Sequence, residues 1–533
     1  MAGAPDETDQ FINSSAHRMR CLAGPGTGKT WALQRRVERL IADRHVQGSR
    51  IFAVTFTRQA AAQLKEALQS LGDPTGDEVH TSTLHSYAFG LLKREEAITA
   101  LGRSPRPCLT FEMKPLHHDL AVACGGVRAS QDLLKALEAM WARMQSEVPG
   151  SPRSPTDVAF ESSFLAWMRF HQAMGIGELV PLAVQFLNQN PVGVGRAEFD
   201  HVIVDEYQDL NRADQNLVEL IGSTADVAVI GDDDQSIFSF RHAYPEGIRT
   251  WAGVQTLPVD IVGMTVSRRS DGRILDVSNH LIRQNPCRAR GDILPEPGRE
   301  ASGEITVIQW ASREKETRGI AETIRRIQST GRLPSHEKLI VIVPRREFGV
   351  DLQQQLTSLG VTPVKLHCSP DWDSPELVRG ATLIRLLDSP EDRVAIRVWL
   401  GLGDTHWRRD AYARLRELCE RTGRSPADIL GDAKETKSSR LSLFHQKWLD
   451  LQTELNVLRG LPMQQQVDRL FPPGGPMADL GERINRALGM AANASTTDRL
   501  VRALESEEDD DLDEGINIMT AFGSKGLTCH TVI

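Results

Sequence analysis

Several features that define common protein classes are missing from this 533-residue chain. It has no run of about 18 consecutive apolar residues, the minimum for a transmembrane helix, so we expect no membrane association. Its N-terminus, MAGAPDETDQ, is acidic and lacks an apolar segment, which argues against a secretory signal. The seven cysteines include no CxxC pair. This spacing argues against zinc and iron–sulfur sites and favours reduced thiols in a cytoplasmic protein.

The negative charge is concentrated in one short segment. The net charge is -9, and eight of the ten residues at 505–514 are acidic, which leaves the remainder of the chain close to neutral. A block of like charges is typical of a solvated linker, and an autoinhibitory mimic of a nucleic-acid backbone is the alternative. The near-neutral remainder can carry local basic tracks, so the overall charge does not exclude nucleic acid as a partner.

The strongest pattern is a phosphate-binding loop. Residues 23–30 read AGPGTGKT, after a short apolar run at 19–22 and before a helical periodicity at 31–41. This strand–loop–helix order is the setting that a P-loop requires, with glycines that let backbone N–H groups face a phosphate. Lys29 would contact the β- and γ-phosphates of ATP, and the hydroxyl of Thr30 would bind Mg²⁺. The predicted binding residues are Ala23, Gly24, Pro25, Gly26, Thr27, Gly28, Lys29 and Thr30.

A second pattern supplies the carboxylates that a P-loop needs. The apolar run at 201–204 ends in Asp205 and Glu206. Asp205 is a hard oxygen ligand suited to Mg²⁺, and Glu206 is placed to polarise the attacking water. Tyr207, Gln208 and Asp209 follow, and a further buried strand at 227–230 leads into GDDDQSIFSFRHA.

Together these motifs resemble the UvrD/Rep/PcrA group of superfamily 1 DNA helicases. The matching segments occur in the family's order and span nearly the whole chain. They are AGPGTGKT (23–30), VTFTRQAA (54–61), TSTLHS (81–86), VDEYQDL (204–210), GDDDQSIFSFRHA (231–243), SRRS (267–270), VIVPRR (341–346) and MTAFGSKGL (519–527). The resemblance implies an ATP-hydrolysing translocase or helicase that moves 3′ to 5′ on single-stranded DNA and acts at junctions between single and double strands.

The resemblance also implies further residues of the nucleotide site. Gln10 corresponds to the glutamine that binds adenine, and Gln235 to the glutamine that senses the γ-phosphate. Arg269 corresponds to an arginine that reaches the γ-phosphate from the second motor domain, and a surface arginine in a basic patch is the alternative. Lys525 and Gly526 fall in the family's fifth motif and are further nucleotide-binding candidates.

A sequence-independent DNA motor needs stacking platforms and backbone donors. Phe238 and Phe240 occupy the family's stacking positions, although their i, i+2 spacing also fits two core residues of a strand. The remaining residues that match DNA-contacting positions are Phe56, Thr57, Arg58, His85, Arg241, Thr520 and Phe522.

The chain departs from the family pattern at several positions. Trp31 replaces an arginine and could pack against the base or in the core, while Arg268 replaces the tyrosine that stacks on adenine. Phe522 and Thr528 replace a histidine and a glutamate of the fifth motif. The sequence reaches Ile533 before the arginine of the sixth motif, so we expect the second motor domain to be C-terminally incomplete here.

The motif spacing predicts an α/β fold with two RecA-like P-loop motor domains, each a parallel sheet flanked by helices and each carrying a mainly helical insertion. We predict motor domain 1A at 1–89 and 187–266, and its insertion 1B at 90–186. Motor domain 2A follows at 267–372 and 509–533, and insertion 2B, with the acidic linker, at 373–508. Within 2A we expect a strand at 304–310, a helix at 314–330 and a strand at 339–344.

Two other classes of function stay open on the sequence. One is a DNA-stimulated ATPase subunit that regulates a partner effector or nuclease without robust unwinding. The other is a non-catalytic scaffold that keeps a P-loop for structure, against which Lys29, Thr30, Asp205, Glu206 and Gln235 all argue. A protein partner in repair, replication or phage defence fits either motor role.

Overall fold

The computed structural model describes residues 7–69, 76, 78–103, 105–145, 154–330, 338–367, 372–472, 478–489 and 515–533. The chain divides into two compact units. Unit 1 comprises residues 1–105, 134–154 and 174–307, and unit 2 comprises residues 106–133, 155–173 and 308–533. The acidic block at 505–514 lies outside the described residues.

A parallel sheet forms the centre of unit 1. Its six strands, counted over the described residues, have the order β3-β2-β4-β5-β1-β6. They are β1 (Arg18–Ala23), β2 (Ile51–Val54), β3 (His80–Ser82), β4 (His201–Val204), β5 (Asp226–Gly231) and β6 (Val259–Met264). Because β5 lies between β4 and β1, the loops that follow these three strands meet at one edge of the sheet, which is where ligands bind in open α/β sheets.

The strands of this sheet are apolar along their whole length because both faces are covered. In β1, Met19 and Cys21 pack into one core and Leu22 into the core on the opposite face. This burial on two sides explains why β1 is a continuous apolar run instead of an alternating pattern. The helices of the described part of unit 1 are Glu7–Asn13, Lys29–Ala42, Arg58–Gln69, Leu84–Leu92, Glu95–Leu101, Leu179–Gln189, Arg212–Ile221, Glu246–Val254 and Gly272–Ile282; Val127–Ala142 contributes to both units. A short parallel pair, β7 (Val266–Ser267) and β8 (Leu294–Pro295), also belongs to unit 1.

Unit 2 contains a second parallel sheet and a helical region. In the described residues the sheet has the order β10-β11-β9-β12, with β9 at Lys338–Ile342, β10 at Val364–Leu366, β11 at Gly515–Met519 and β12 at Thr531–Val532. Helices Arg313–Ser329 and Arg346–Ser358 contribute to its core. The helical region comprises Met113–Cys124, Pro155–His171, Pro375–Asp388, Arg393–Gly401, Arg409–Thr422, Pro426–Gly431, Ala433–Ser438, Ser442–Arg459, Met463–Leu470 and Ala478–Gly489.

The predicted α/β fold class is confirmed, with a parallel sheet and flanking helices of the RecA-like kind in unit 1. The predicted helix at 314–330 and the strand at 339–344 are present within two residues of their expected bounds. The predicted strand at 304–310 is wrong: this segment pairs with no strand of the described residues, and Val307 is 90% exposed. The boundaries of the four predicted domains stay a prediction; residues 106–133 and 155–173, expected in insertion 1B, group with unit 2.

A buried ion-pair network joins the helical segments of unit 2. Arg106 donates to both oxygens of Glu112, at 2.5 and 2.7 Å, and to both oxygens of Asp392, at 2.8 and 2.9 Å. Glu112 is fully buried. Burial alone would raise the pKa of Asp392, but the guanidinium groups of Arg106 and Arg385 outweigh it and the pKa is lowered. Arg106 therefore pairs with two carboxylates that are far apart in sequence, and Arg385, 3.7 Å from Glu112, adds a second positive charge.

Replacing Arg106 with methionine should destabilise unit 2 by about 3–5 kcal/mol, because two buried carboxylates lose their counter-charge. Arg409→Met is the matched control, since Arg409 pairs with the exposed Asp410, and it should cost at most about 1 kcal/mol. Chemical denaturation followed by circular dichroism measures both. Equal stabilities for the two variants would show that the buried network contributes nothing beyond a surface pair.

Candidate nucleotide site and nucleic-acid surface

The P-loop connects β1 to helix Lys29–Ala42 and is shaped by its glycines. Gly26 and Gly28 have φ angles of 74° and 92°, a left-handed conformation that glycine adopts without steric cost. A Cβ at Gly26 would lie 2.5 Å from the Oγ of Ser267, so this glycine is also needed for close packing. The hydroxyl of Thr27 donates to the carbonyl of Gly24 at 2.9 Å and closes the turn. The loop thus presents the N-terminus of a helix, a favourable place for phosphate.

Lys29 and Glu206 form an ion pair at this edge of the sheet. The Nζ of Lys29 lies 3.0 Å from Oε1 of Glu206, and the lysine side chain is only 11% exposed. Burial by itself would lower the pKa of Lys29, but Glu206 and Asp205 outweigh it and the pKa is raised. The lysine is therefore a fixed positive charge beside the P-loop.

The two carboxylates that follow β4 have different environments. Asp205 is buried, and burial together with the charge of Glu206 raises its pKa to about 7. Glu206 adopts a left-handed backbone with φ of 51°, a conformation that costs a residue with a side chain about 1–3 kcal/mol. The N–H of Glu206 donates to Oδ1 of Asp205 at 2.9 Å, which stabilises this turn. The strain lies at the residue whose carboxylate contacts Lys29.

Oxygen donors near the P-loop fit a hard divalent cation. Asp205 offers a buried carboxylate, and Thr30 offers an exposed hydroxyl in the first turn of the following helix. Carboxylate and hydroxyl oxygens are the ligands that Mg²⁺ prefers. The residue types and their place at the helix N-terminus are therefore compatible with the predicted magnesium site.

A second acidic group, Asp232, Asp233 and Asp234, also has its carboxylates close together. Each of the three is paired with a different arginine. The pairs are Arg290–Asp232 at 2.6 Å, Arg249–Asp233 at 2.8 Å and Arg288–Asp234 at 3.0 Å. Because three guanidinium groups already provide the counter-charge, we assign no metal to this group.

The sequence patterns did not identify these arginines as part of the site, and they did not indicate a role for Gln208. Three consecutive aspartates directly after a buried strand required counter-charges, and the two arginines of the RAR segment at 288–290 were a signal that could have supplied two of them. Gln235, the predicted γ-phosphate sensor, donates from Nε2 to Oδ2 of Asp232 at 2.8 Å. The sensor candidate is therefore bonded to one of the arginine-paired aspartates.

Arg268 and Arg269 lie against the P-loop within unit 1. The N–H of Arg268 donates to the carbonyl of Gly26 at 2.8 Å, and its Nη1 donates to the carbonyl of Thr27 at 3.2 Å. Arg269 packs closely on the backbone of Gly26: if Gly26 carried a Cβ, that atom would lie 2.5 Å from the Cβ of Arg269. Arg269 is thus close to the phosphate loop, and its segment groups with unit 1, whereas the predicted boundary placed it in the second motor domain.

The two residues predicted near the nucleotide base have different surroundings. Trp31 is 48% exposed, and the guanidinium of Arg35 lies 5.6 Å from its ring. Trp31 is therefore not a core residue. Gln10 lines a cleft beside the edge strand β6 with Asp9, Asn13, Ser14, Asp260, Ile261 and Val262, and no P-loop residue lines that cleft. The adenine contacts of both residues stay predictions.

An aromatic group follows the acidic loop. The ring of Phe238 stacks on Phe56 at 4.8 Å and meets Phe240 edge-on at 5.9 Å. Phe238 is 5% exposed, whereas Phe240 is 55% exposed. The guanidinium of Arg241 lies 5.4 Å and 5.8 Å from these two rings. Phe240 and Arg241 therefore form the accessible part of the group, and Phe238 packs beneath them.

The other predicted DNA contacts of unit 1 follow β2 and β3, in the connections to the next helices and in their first turns. Thr57 is half-buried, and its carbonyl accepts a hydrogen bond from the hydroxyl of Thr55 at 2.9 Å. His85 is exposed in the first turn of helix Leu84–Leu92. Arg58 begins helix Arg58–Gln69, but its side chain lies outside the described residues.

The predicted residues of the fifth motif lie in unit 2, in the loop after β11. Phe522 is 45% exposed, and Gly526 has a left-handed backbone with φ of 84°. Thr520 and Lys525 are half-buried in the same loop. The structure therefore brings the P-loop, Asp205, Glu206, Gln235 and the 267–270 segment together in unit 1, and places these four residues in the other unit.

Comparison with known proteins agrees with this geometry. A family model described as an AAA domain matches residues 9–241. The chain is 27% identical over 474 residues to the ATP-dependent DNA helicase UvrD1 of Mycobacterium leprae, covering 83% of this chain and 59% of the relative. It is 28% identical over 421 residues to the ATP-dependent DNA helicase Rep of Escherichia coli (75% and 60%). It is 24% identical over 412 residues to the ATP-dependent DNA helicase PcrA of Bacillus subtilis (74% and 54%).

The fold and the site geometry define a P-loop protein with a RecA-like sheet. Over most of its length the chain is similar to UvrD-like helicases of superfamily 1. It spans between 54% and 60% of the length of these three relatives. Over the described residues, no helix combines the length and the apolar character needed to cross a bilayer.

The raised pKa of Asp205 predicts a stability that depends on pH. Its pKa of about 7 exceeds the ordinary value of 3.8, so its contribution to folding is most favourable at low pH and is lost as pH rises through about 7. At pH 8 the ionised carboxylate opposes folding, and Asp205→Asn should then raise the thermal midpoint of the ligand-free protein by a few degrees. The loss runs from the ordinary value of 3.8 to about 7, so the gain should be clearly smaller at pH 5 and should disappear only below about pH 4.

Asp200→Asn provides the control for Asp205→Asn. Asp200 is hydrogen-bonded to Arg50, which lowers its pKa, so its loss should give no gain in thermal midpoint at pH 8. Differential scanning fluorimetry at the two pH values measures both variants. An Asp205→Asn protein that is less stable than the wild type at pH 8 would contradict the assignment of a disfavoured buried carboxylate.

Proposed function

We propose that the chain is the motor part of an ATP-dependent single-stranded DNA translocase or helicase with 3′ to 5′ movement. The observation that carries this proposal is the 3.0 Å ion pair between Lys29 of the P-loop and Glu206, directly beside Asp205. Its relatives named above are ATP-dependent DNA helicases, which supports the same activity. The chain covers only part of those relatives, so the helicase activity of the whole protein is likewise proposed.

The proposed chemistry is hydrolysis of the terminal phosphate of ATP. Lys29 and Glu206 form an ion pair at 3.0 Å, in which their charges neutralise each other. When the β- and γ-phosphates enter the P-loop, Lys29 turns to them and Oε1 of Glu206 becomes available to accept a hydrogen bond from the attacking water. Asp205 and Thr30 would hold Mg²⁺, which would neutralise charge on the phosphate oxygens. Arg269, close to Gly26, offers a planar cationic donor for charge on the transferred group.

The proposed DNA track runs over the exposed part of the aromatic group. Phe240 offers an open ring face, and Arg241 beside it offers a cation for the phosphate backbone. Stacking on an aromatic ring tolerates every base, so binding should be nearly independent of sequence. Phosphate contacts release counterions, so the affinity should fall as the salt concentration rises.

The first functional test concerns Glu206. The wild-type chain should hydrolyse ATP with Mg²⁺, and single-stranded DNA should stimulate the rate. Glu206→Gln should abolish turnover while nucleotide binding persists, because the amide cannot accept the proton or orient the water as a carboxylate does. Lys29→Ala should abolish turnover and weaken nucleotide binding. A coupled ATPase assay and fluorescent-nucleotide binding measure both quantities.

Glu96→Gln is the control for Glu206→Gln, since Glu96 is an exposed helical carboxylate outside the site. Normal turnover by Glu206→Gln would remove Glu206 as the base. Displacement of a 3′-tailed duplex by the wild-type chain supports a helicase. DNA-stimulated hydrolysis without displacement supports the alternative of an ATPase subunit that regulates a partner effector or nuclease.

The second functional test separates stacking from core packing in the aromatic group. Phe240→Ala should weaken binding of an oligothymidylate by about 1–3 kcal/mol without lowering stability. Phe238→Ala should instead cost about 3–5 kcal/mol of unfolding free energy, because it empties a buried site. Leu449→Ala, which shortens an exposed side chain in unit 2, should change neither quantity. Fluorescence anisotropy measures the DNA affinity, and chemical denaturation measures the unfolding free energy. An unchanged DNA affinity in Phe240→Ala would exclude Phe240 as the residue on which bases stack.

A further inference from the structure

Gln208 is a fully buried glutamine between the loops that follow β4 and β5. Its Nε2 donates to Oε2 of Glu206 at 2.6 Å. Its Oε1 accepts a hydrogen bond from the N–H of Asp232 at 2.9 Å. The two ends of one side-chain amide therefore contact the carboxylate beside the P-loop and the first residue of the loop that precedes Phe240.

The position of this amide is fixed by its surroundings. Its Oε1 lies only 2.1 Å from where a Cβ on Gly231 would be, so the amide is packed directly on the glycine backbone at the end of β5. The backbone carbonyl of Gln208 also accepts the hydroxyl of Ser236 at 3.1 Å. Gln208 is thus bonded at two points to the loop that starts with Asp232, and neither contact can shift without moving that loop.

The contact continues through Asp232 to the sensor candidate. One oxygen of this carboxylate accepts from Gln235 at 2.8 Å, and the other accepts from Arg290 at 2.6 Å and from the N–H of Asp234 at 3.1 Å. Asp232 is itself fully buried. A continuous line of polar contacts therefore starts with the ion pair of Lys29 and Glu206 and continues by hydrogen bonds through Gln208 and Asp232 to Gln235.

We propose that Gln208 is a positioning residue that couples the carboxylate of Glu206 to the loop at 232–241, so that DNA bound on that loop alters the orientation of the carboxylate. This inference rests on the proposed function and names the side chain that links its two sites. The two oxygens of Glu206 have separate partners, Lys29 on Oε1 and Gln208 on Oε2. When phosphate draws Lys29 away, Gln208 still holds Oε2 and so keeps the carboxylate oriented.

The test compares turnover with and without saturating oligothymidylate in the wild type and in two variants. Gln208→Met removes both contacts of the amide while keeping its length, and Gln208→Glu keeps an acceptor for Asp232 but places a second carboxyl group against Glu206. Each should lower DNA-stimulated turnover roughly 10- to 100-fold, the effect of losing one hydrogen bond to a charged group. The KM for ATP should stay within about threefold, because binding of the ground state is untouched.

The decisive quantity is the ratio of stimulated to unstimulated turnover, which does not depend on the fraction of folded protein. We expect this ratio to fall towards one in both variants. Gln215→Met is the matched control: Gln215 is another buried glutamine, and it bonds the carbonyls of Leu210 and Tyr244 without touching Glu206. Its ratio should equal that of the wild type even if its thermal midpoint falls.

The outcomes distinguish failure of the coupling role of Gln208 from failure of the proposed function. A wild-type chain that hydrolyses ATP without any DNA stimulation would overturn the proposed function, and the coupling with it. A stimulated wild type whose Gln208→Met and Gln208→Glu variants keep the same ratio would overturn only the coupling role. An equal fall in the ratio for Gln215→Met would show a general packing effect and would also overturn that role.

Discussion

The ion pair between Lys29 and Glu206 connects the two halves of the candidate site, and its geometry depends on the order of the strands. Lys29 follows β1 and Glu206 follows β4, two strands separated in the sheet by β5. Because all three strands are parallel, their following loops lie at the same edge. The loop after β5 then lies between the other two, and Gln208 joins it to Glu206.

Charge balance explains most of the polar residues around this pair. Burial disfavours each isolated charge, so Lys29 is stabilised by Glu206 and Asp205, while Asp205 has a raised pKa. The three aspartates after β5 follow the same rule, each with its own arginine. The strained backbone of Glu206 is tolerated because its carboxylate is held from two sides. We propose that phosphate binding disturbs this balance at one point, the contact between Lys29 and Glu206.

Local patterns predicted much of unit 1, because a buried parallel strand followed by a glycine-rich or acidic turn has a distinct sequence. The P-loop, Asp205, Glu206 and the strands that carry them were all expected from such patterns. Exposure is harder to infer: Phe238 and Phe240 share the same residue type and spacing, yet only Phe240 is open to solvent. The apolar residues at 304–310 resembled a strand, but strand formation also needs a pairing partner, which no local pattern reveals. The arginines that pair with the acidic loop come from distant segments and depend on tertiary structure.

Hydrogen–deuterium exchange of the loop at 231–241 tests the link between the two sites most directly. Nucleotide bound at the P-loop in the absence of DNA should draw Lys29 from Glu206 and alter the bond that the N–H of Asp232 makes to Gln208. We therefore expect deuterium uptake in peptides covering 231–241 to change when a non-hydrolysable ATP analogue is added. Peptides from helix Ser442–Arg459 of unit 2 serve as the internal reference. Identical uptake at 231–241, with nucleotide binding shown in the same sample, would contradict a connected path from the P-loop to the aromatic group.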